Sequence, residues 1–78
     1  MIAMLDRITI LPDLCNGKPT IRGHRLTVRT VLEQLAAGDS PEDLLEAYPF
    51  LEKEDILACL AYGARAVDHD LRSIKLAG

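Results

Sequence analysis

The residues of this chain with the chemistry for catalysis or metal binding are few and scattered. Two histidines and two cysteines are present, as His24, His69, Cys15 and Cys59. A metal centre built from them would need short, regular spacing such as CxxC or HxxxH, and neither occurs. In Asp68-His69-Asp70 the residues alternate acid, imidazole and acid, but consecutive helical positions point around the axis and assemble no triad. Gly17-Lys18-Pro19 lacks both the upstream glycine frame and the following Ser or Thr of a phosphate-binding loop. Neither Tyr48 nor Tyr62 has an adjacent base, and both are expected at the core edge with hydroxyls reaching water or backbone. Glu52, Glu54 and Asp55 fall where a helix should begin, and acids there meet the positive end of its dipole. The expectation is a chain with no catalytic residue, no metal and no cofactor, acting by binding.

Charge patterning says where binding would occur. The net charge is −3, yet Leu14 to Leu32 carries four bases and no acid, whereas Glu33 to Asp55 carries eight acids and one base. A polarised surface follows. Lys18, Arg22, His24, Arg25 and Arg29 are the candidates for contacting nucleic acid, the arginines as phosphate or groove contacts on a ribbon. The competing reading is that the arginines fork onto nearby carboxylates and fix a turn. A second candidate surface lies near the end, where Val67, Leu71 and Ile74 recur at helical spacing among Arg65, Arg72 and Lys75. Such an amphipathic helix seeks a groove, a second copy, or its own core.

These residues must be positioned by a small scaffold. Seventy-eight residues support one core and no more, so a single domain is expected over 1–78, and self-association would help its stability. Trp is absent and Phe50 is the sole Phe, so Leu, Ile, Val and Ala must fill that core. Arg7 to Leu11 reads as a strand ended by Pro12. Asn16-Gly17 supplies a positive-φ turn, and Thr20 to Leu26 reads as a second strand with Gly23 as a bulge or close-approach point. The strand region therefore spans 7–26.

Three helices follow across a head spanning 27–64. Thr27, or Thr30 with Glu33, opens the first, and Gly38 closes it. Ser40-Pro41-Glu42-Asp43 is a strong start for the second, which Pro49 stops. The third begins near Glu52, with Leu51 and Ile56 as a hydrophobic staple. Ile56, Leu57, Leu60, Ala61 and Ala64 read as its inward face, and a C-terminal helical extension runs over 65–76. No window approaches the apolar length of a membrane span, and MIAMLDRITI lacks the layout of a secretory leader. A cytoplasmic protein with reduced thiols is expected. The fold class is mainly α: a helix-turn-helix head, two short N-terminal strands and a C-terminal helix. In such a head the third helix would read DNA, but the acids at its start disfavour it beside phosphates.

The most specific words in the sequence are Gly17-Lys18-Pro19-Thr20-Ile21-Arg22-Gly23-His24-Arg25 and Ala37-Gly38-Asp39-Ser40-Pro41-Glu42-Asp43-Leu44. With Tyr48, Pro49, Leu51, Glu54, Asp55, Ile56, Leu60 and Tyr62 they make the chain resemble the family called domain of unknown function 433, over about Arg7 to Ala64. That resemblance implies a homeodomain-like head. Because some members are similar to antitoxins encoded beside PIN-like nucleases, it also implies neutralisation of a toxin ribonuclease, with operator DNA and a homodimer or higher homo-oligomer as further partners. Glu52 stands where members often have Thr or Ser. Gly63 stands where Ala is common, which suggests a bend before the extension.

Overall fold

The computed structural model describes residues 2–70. A 3-10 segment, Ile2–Arg7, leads into strand β1, Ile8–Thr9, and a 3-10 turn, Cys15–Gly17, leads into β2, Thr20–Ile21. The helices are α1, Val28–Ala36, α2, Pro41–Ala47, and α3, Lys53–Asp70. The protein is thus mainly helical, with three helices and one short antiparallel ribbon pairing Ile8 with Ile21 and Thr9 with Thr20.

Local chemistry accounts for the helix starts. Thr27 accepts a hydrogen bond from the Thr30 amide at 3.1 Å, so Thr27 is the cap. Ser40 and Asp43 form a reciprocal capping box, with bonds of 3.1 and 2.9 Å satisfying two otherwise orphaned amides. Pro41 occupies the first turn, where its missing N–H costs nothing. Beyond Ala37, Gly38 takes a φ of 109°, which an L side chain rarely adopts, and so lets the chain leave α1.

The two strands are shorter than the alternation predicts. At Arg22-Gly23 the chain reverses, with φ of 45° and 76° and a His24 amide to Ile21 carbonyl bond of 2.8 Å. Positive φ at both central positions makes this a tight turn of the hairpin type rather than a bulge. The segment 20–26 therefore folds back, the Ile21 amide bonding the Leu26 carbonyl at 3.1 Å and Thr27 bridging to Thr20. In the first strand, Ile10 and Leu11 are exposed, and the Leu11 carbonyl accepts from Leu14 in a turn.

The core is formed by Ile21, Leu26, Val28, Val31, Leu44, Leu51, Ile56 and Cys59, with Leu51 and Ile56 the expected staple. Thr20 is also buried, and it exchanges bonds with Thr9 through its hydroxyl, 3.0 Å to Oγ1 and 3.2 Å to the carbonyl. Among the described residues every buried polar side-chain atom has a partner. Helix α3 is continuous through Gly63. A Cβ at Gly63 would lie 2.9 Å from Leu32 Cδ1, so the glycine permits α1 and α3 to approach closely instead of marking a break. Of the predicted extension, 65–70 continues α3, and 71–76 lies outside the described residues. No helix among the described residues is long and apolar enough to cross a membrane.

Candidate binding surfaces on the third helix and the basic hairpin

The basic hairpin is committed to the head. Arg22 donates to both oxygens of Asp55, Nε to Oδ1 at 2.9 Å and Nη2 to Oδ2 at 2.8 Å, and its Nη2 also reaches the Phe50 carbonyl at 2.7 Å. From the other side, Arg7 Nη1 donates to Asp55 Oδ1 at 2.9 Å and to Glu52 Oε1 at 2.7 Å. Asp55 in turn accepts the Glu52 amide at 2.8 Å, which is half of a capping box for α3. His24 stacks on Phe50 with centroids 3.9 Å apart. One carboxylate thus ties the end of the 3-10 segment, the hairpin turn and the α2–α3 corner together.

Asp55 is 0% exposed. Burial pushes its carboxyl pKa up, but the hydrogen bonds from Arg22, Arg7 and the Glu52 amide outweigh that and hold it below its ordinary value. Hydrogen bonding to Asp55 raises the Arg22 guanidinium in the same exchange. Burial, followed by the Asp55 charge, pushes the Cys59 thiol up to about 12, so it packs as a small apolar side chain.

The family-like words at 17–25 are therefore architectural. Gly17 and Gly23 take positive φ. The Pro19 carbonyl receives the first α1 amide, from Val28, at 3.0 Å. Of the candidate nucleic-acid residues, Arg22 and His24 serve these internal contacts, and Arg29 pairs with Glu33 at 2.8 Å on the exposed side of α1. Lys18 and Arg25 are exposed without an ion-pair partner among the described residues. Sequence reasoning missed the Arg7–Asp55–Arg22 lock because its members lie 48 and 33 positions apart. The forking of an arginine onto a carboxylate was its competing reading.

Helix α3 presents two faces. Toward the head it buries Asp55, Ile56, Ala58 and Cys59. Toward solvent it carries Leu57, Leu60 and Val67, which are 43%, 47% and 54% exposed, with Ala64 also exposed between them. Only Ile56 of the predicted inward set is buried, and Ala61 is half-buried. The reason is geometric: Asp55 must face Arg7 and Arg22, and this rotates Leu57 and Leu60 outward. Arg65 lies exposed near Val67, whereas Leu71, Arg72, Ile74 and Lys75 lie outside the described residues.

Beside this helix an apolar cleft of about 420 Å³ opens between α1 and α3, lined by Val28, Leu32, Ala36, Tyr62, Gly63 and Ala66 among others. The half-buried Tyr48 hydroxyl accepts from Gln34 Nε2 at 2.8 Å. Among the described residues no cluster of His, Cys, Asp and Glu could hold a metal.

A family model described as protein of unknown function (DUF433) matches residues 8–63. Over 62 residues the chain is 39% identical to the uncharacterized protein y4eO of Sinorhizobium fredii, covering 80% of this chain and 28% of that protein. The chain thus spans less than a third of that relative's length. The crystal structure of a DUF433 member from Anabaena variabilis superposes with a TM-score of 0.76 at 32% identity, covering 92% of this chain and 72% of that one.

Proposed function

The chain belongs to the DUF433 family, and on that footing we propose that it is an antitoxin-like regulatory module, acting through the outward face of α3 without chemistry of its own. One observation carries this reading. Leu57, Leu60 and Val67 are exposed on a helix whose opposite face already fills the core. Aligned aliphatic side chains left in water on a rigid helix favour a protein partner.

The partner implied by the family resemblance is a PIN-like toxin ribonuclease, neutralised by steric occlusion of its acidic site. Arg65, with Arg72 and Lys75 in the sequence beyond, would complement such a surface. Co-expression with the product of the adjacent gene tests this. The expected result is a copurifying complex and relief of the neighbour's ribonuclease activity. Both effects should be lost in Leu60→Glu and Val67→Glu variants that retain the helical circular dichroism of the wild type. A PIN-like neighbour that neither binds nor is inhibited would overturn the reading for that pair.

A second reading, a DNA-binding regulator, is favoured by the exposed Lys18 and Arg25, which have no ion-pair partner among the described residues. It predicts salt-sensitive binding to the chain's own promoter that a Lys18→Ala/Arg25→Ala variant loses. Arg22 is unsuited to that test, since its removal would also release the α2–α3 corner.

A further inference from the structure

We propose that Asn16 is a site of spontaneous covalent modification, deamidation, held off by the turn around it, so that the change accumulates only as fast as that turn opens. The site is independent of whatever α3 binds. Asn16 is the sole Asn of the chain, and Gly17 follows it. In an unfolded Asn-Gly pair the glycine nitrogen gives up its proton and attacks the side-chain Cγ. The new C–N bond closes a five-membered succinimide, and the side-chain nitrogen leaves as ammonia with that proton. Water then opens the ring at either carbonyl, leaving Asp or isoaspartate. Glycine favours the first step because it has no side chain to obstruct the attacking nitrogen. Asn16 is exposed, so the water that the second step consumes is at hand.

The folded turn blocks the first step. Asn16 sits at φ 58° and ψ 33°, and at that ψ the Gly17 nitrogen is nearly trans to Cβ about the Cα–C bond. Ring closure needs the two eclipsed, which corresponds to a ψ of about −120°. With φ still positive, that combination suits glycine and is strained for an L residue. Rotation of ψ alone therefore does not close the ring. The attacking nitrogen is also engaged: Gly17 donates to the Leu14 carbonyl at 3.0 Å, and the next amide, Lys18, donates to the Cys15 carbonyl at 3.1 Å. Both bonds span the Asn16–Gly17 peptide and hold it in place.

Opening this turn requires no global unfolding. Cys15, Asn16 and Gly17 take φ of 50°, 58° and 78° in succession, and consecutive left-handed residues are costly outside glycine. The turn contains no buried residue and lies in the connection between β1 and β2. Such a segment belongs to the low-stability end of a fold. The product alters the surface around it. Leu14 to Leu32 carries four bases and no acid, and deamidation sets a carboxylate two positions from Lys18, adding one negative charge to the present −3. Isoaspartate also lengthens the main chain by a methylene, so the two hydrogen bonds cannot re-form in the same geometry. Either product weakens the attraction of the exposed Lys18 for a polyanion.

The reduced full chain, aged at neutral pH and physiological temperature, native and in guanidinium chloride, tests the proposal. Mass analysis of the tryptic fragment carrying Asn16, after chromatography that separates isoaspartate from Asp, reads the conversion. The denatured chain should give both products, as ring opening requires, and Gly17→Val should slow that conversion at least about fivefold by obstructing the nitrogen. The native chain should convert at least about tenfold more slowly than the denatured one. That factor should match, within about threefold, the slowing of hydrogen exchange at the native Gly17 amide, since both need that amide released. A denatured chain that forms no isoaspartate overturns the site, and a native chain that converts as fast as the denatured one overturns the gating. A native chain slowed far beyond the exchange of Gly17 places the gate in global unfolding and overturns the part given to the turn.

Discussion

The two faces of α3 solve opposite problems with residues that interleave along one helix. On the inner face a carboxylate is fully buried, yet both its oxygens are satisfied, because Arg7, Arg22 and the Glu52 amide converge on Asp55. On the outer face Leu57, Leu60 and Val67 are apolar and stand in solvent. Apolar residues stand on both faces, so hydrophobicity alone does not choose which of them turns inward. A buried, fully partnered ion cluster therefore sets the rotation of α3 about its axis, and the aliphatic residues it displaces become the surface available for binding.

Paired truncations should expose this contrast most strongly. Ile56→Ala removes a buried branched side chain and should cost about 3 kcal/mol of folding stability in chemical denaturation. Leu57→Ala, one residue away on the outer face, should cost the monomer under about 1 kcal/mol. Equal losses would mean that Leu57 is packed in the head after all.

Asp55→Asn should follow, at about 2 kcal/mol, because it leaves Arg7 and Arg22 facing an uncharged group. Its pH signature has a definite sign. The folded carboxyl lies below its ordinary value of 3.8, so the stabilisation is complete above that value and is lost as pH falls through the folded one. Acid unfolding of the wild type should show this limb and the Asn variant should lack much of it, as read by circular dichroism between about pH 2 and 5.

Thiol chemistry sharpens the same division. Cys59 is buried and Cys15 half-buried, so a thiol reagent at neutral pH should modify Cys15 in the native chain and reach Cys59 only on denaturation. Rapid native modification of Cys59 would place it on the wrong side of the helix. The smallest effect is expected at Gly63. Alanine gains helix propensity but meets the flexible end of Leu32, so Gly63→Ala should change stability by no more than about 0.5 kcal/mol.

Much of the fold was legible because it is encoded locally. Thr27, the Ser40–Asp43 box, Pro41, Gly38 and the Leu51–Ile56 staple all announce helix ends within a few residues. The rotation of α3 was not legible, since apolar residues recur on both sides of it and the deciding contacts come from Arg7 and Arg22, far away in the sequence. The tight turn at Arg22-Gly23 was not legible for a related reason. Arg22 takes positive φ, a conformation rare for arginine, held by its own pairing to Asp55 and Phe50. Of the outward face, Val67 and Arg65 fall where the sequence pattern expects exposed positions, whereas the same periodicity expects Leu57 and Leu60 in the core and the structure exposes them.

The proposed function requires the outer face of α3 to be covered by protein. Side-chain methyl NMR with a soluble paramagnetic relaxation agent measures that cover directly, residue by residue, across a dilution series. The methyls of Leu44 and Ile56 should be shielded at every concentration, and those of Leu57, Leu60 and Val67 shielded only when the chain is concentrated or its partner is added. Outer-face methyls that stay fully relaxed at every concentration and with every partner tested would contradict it.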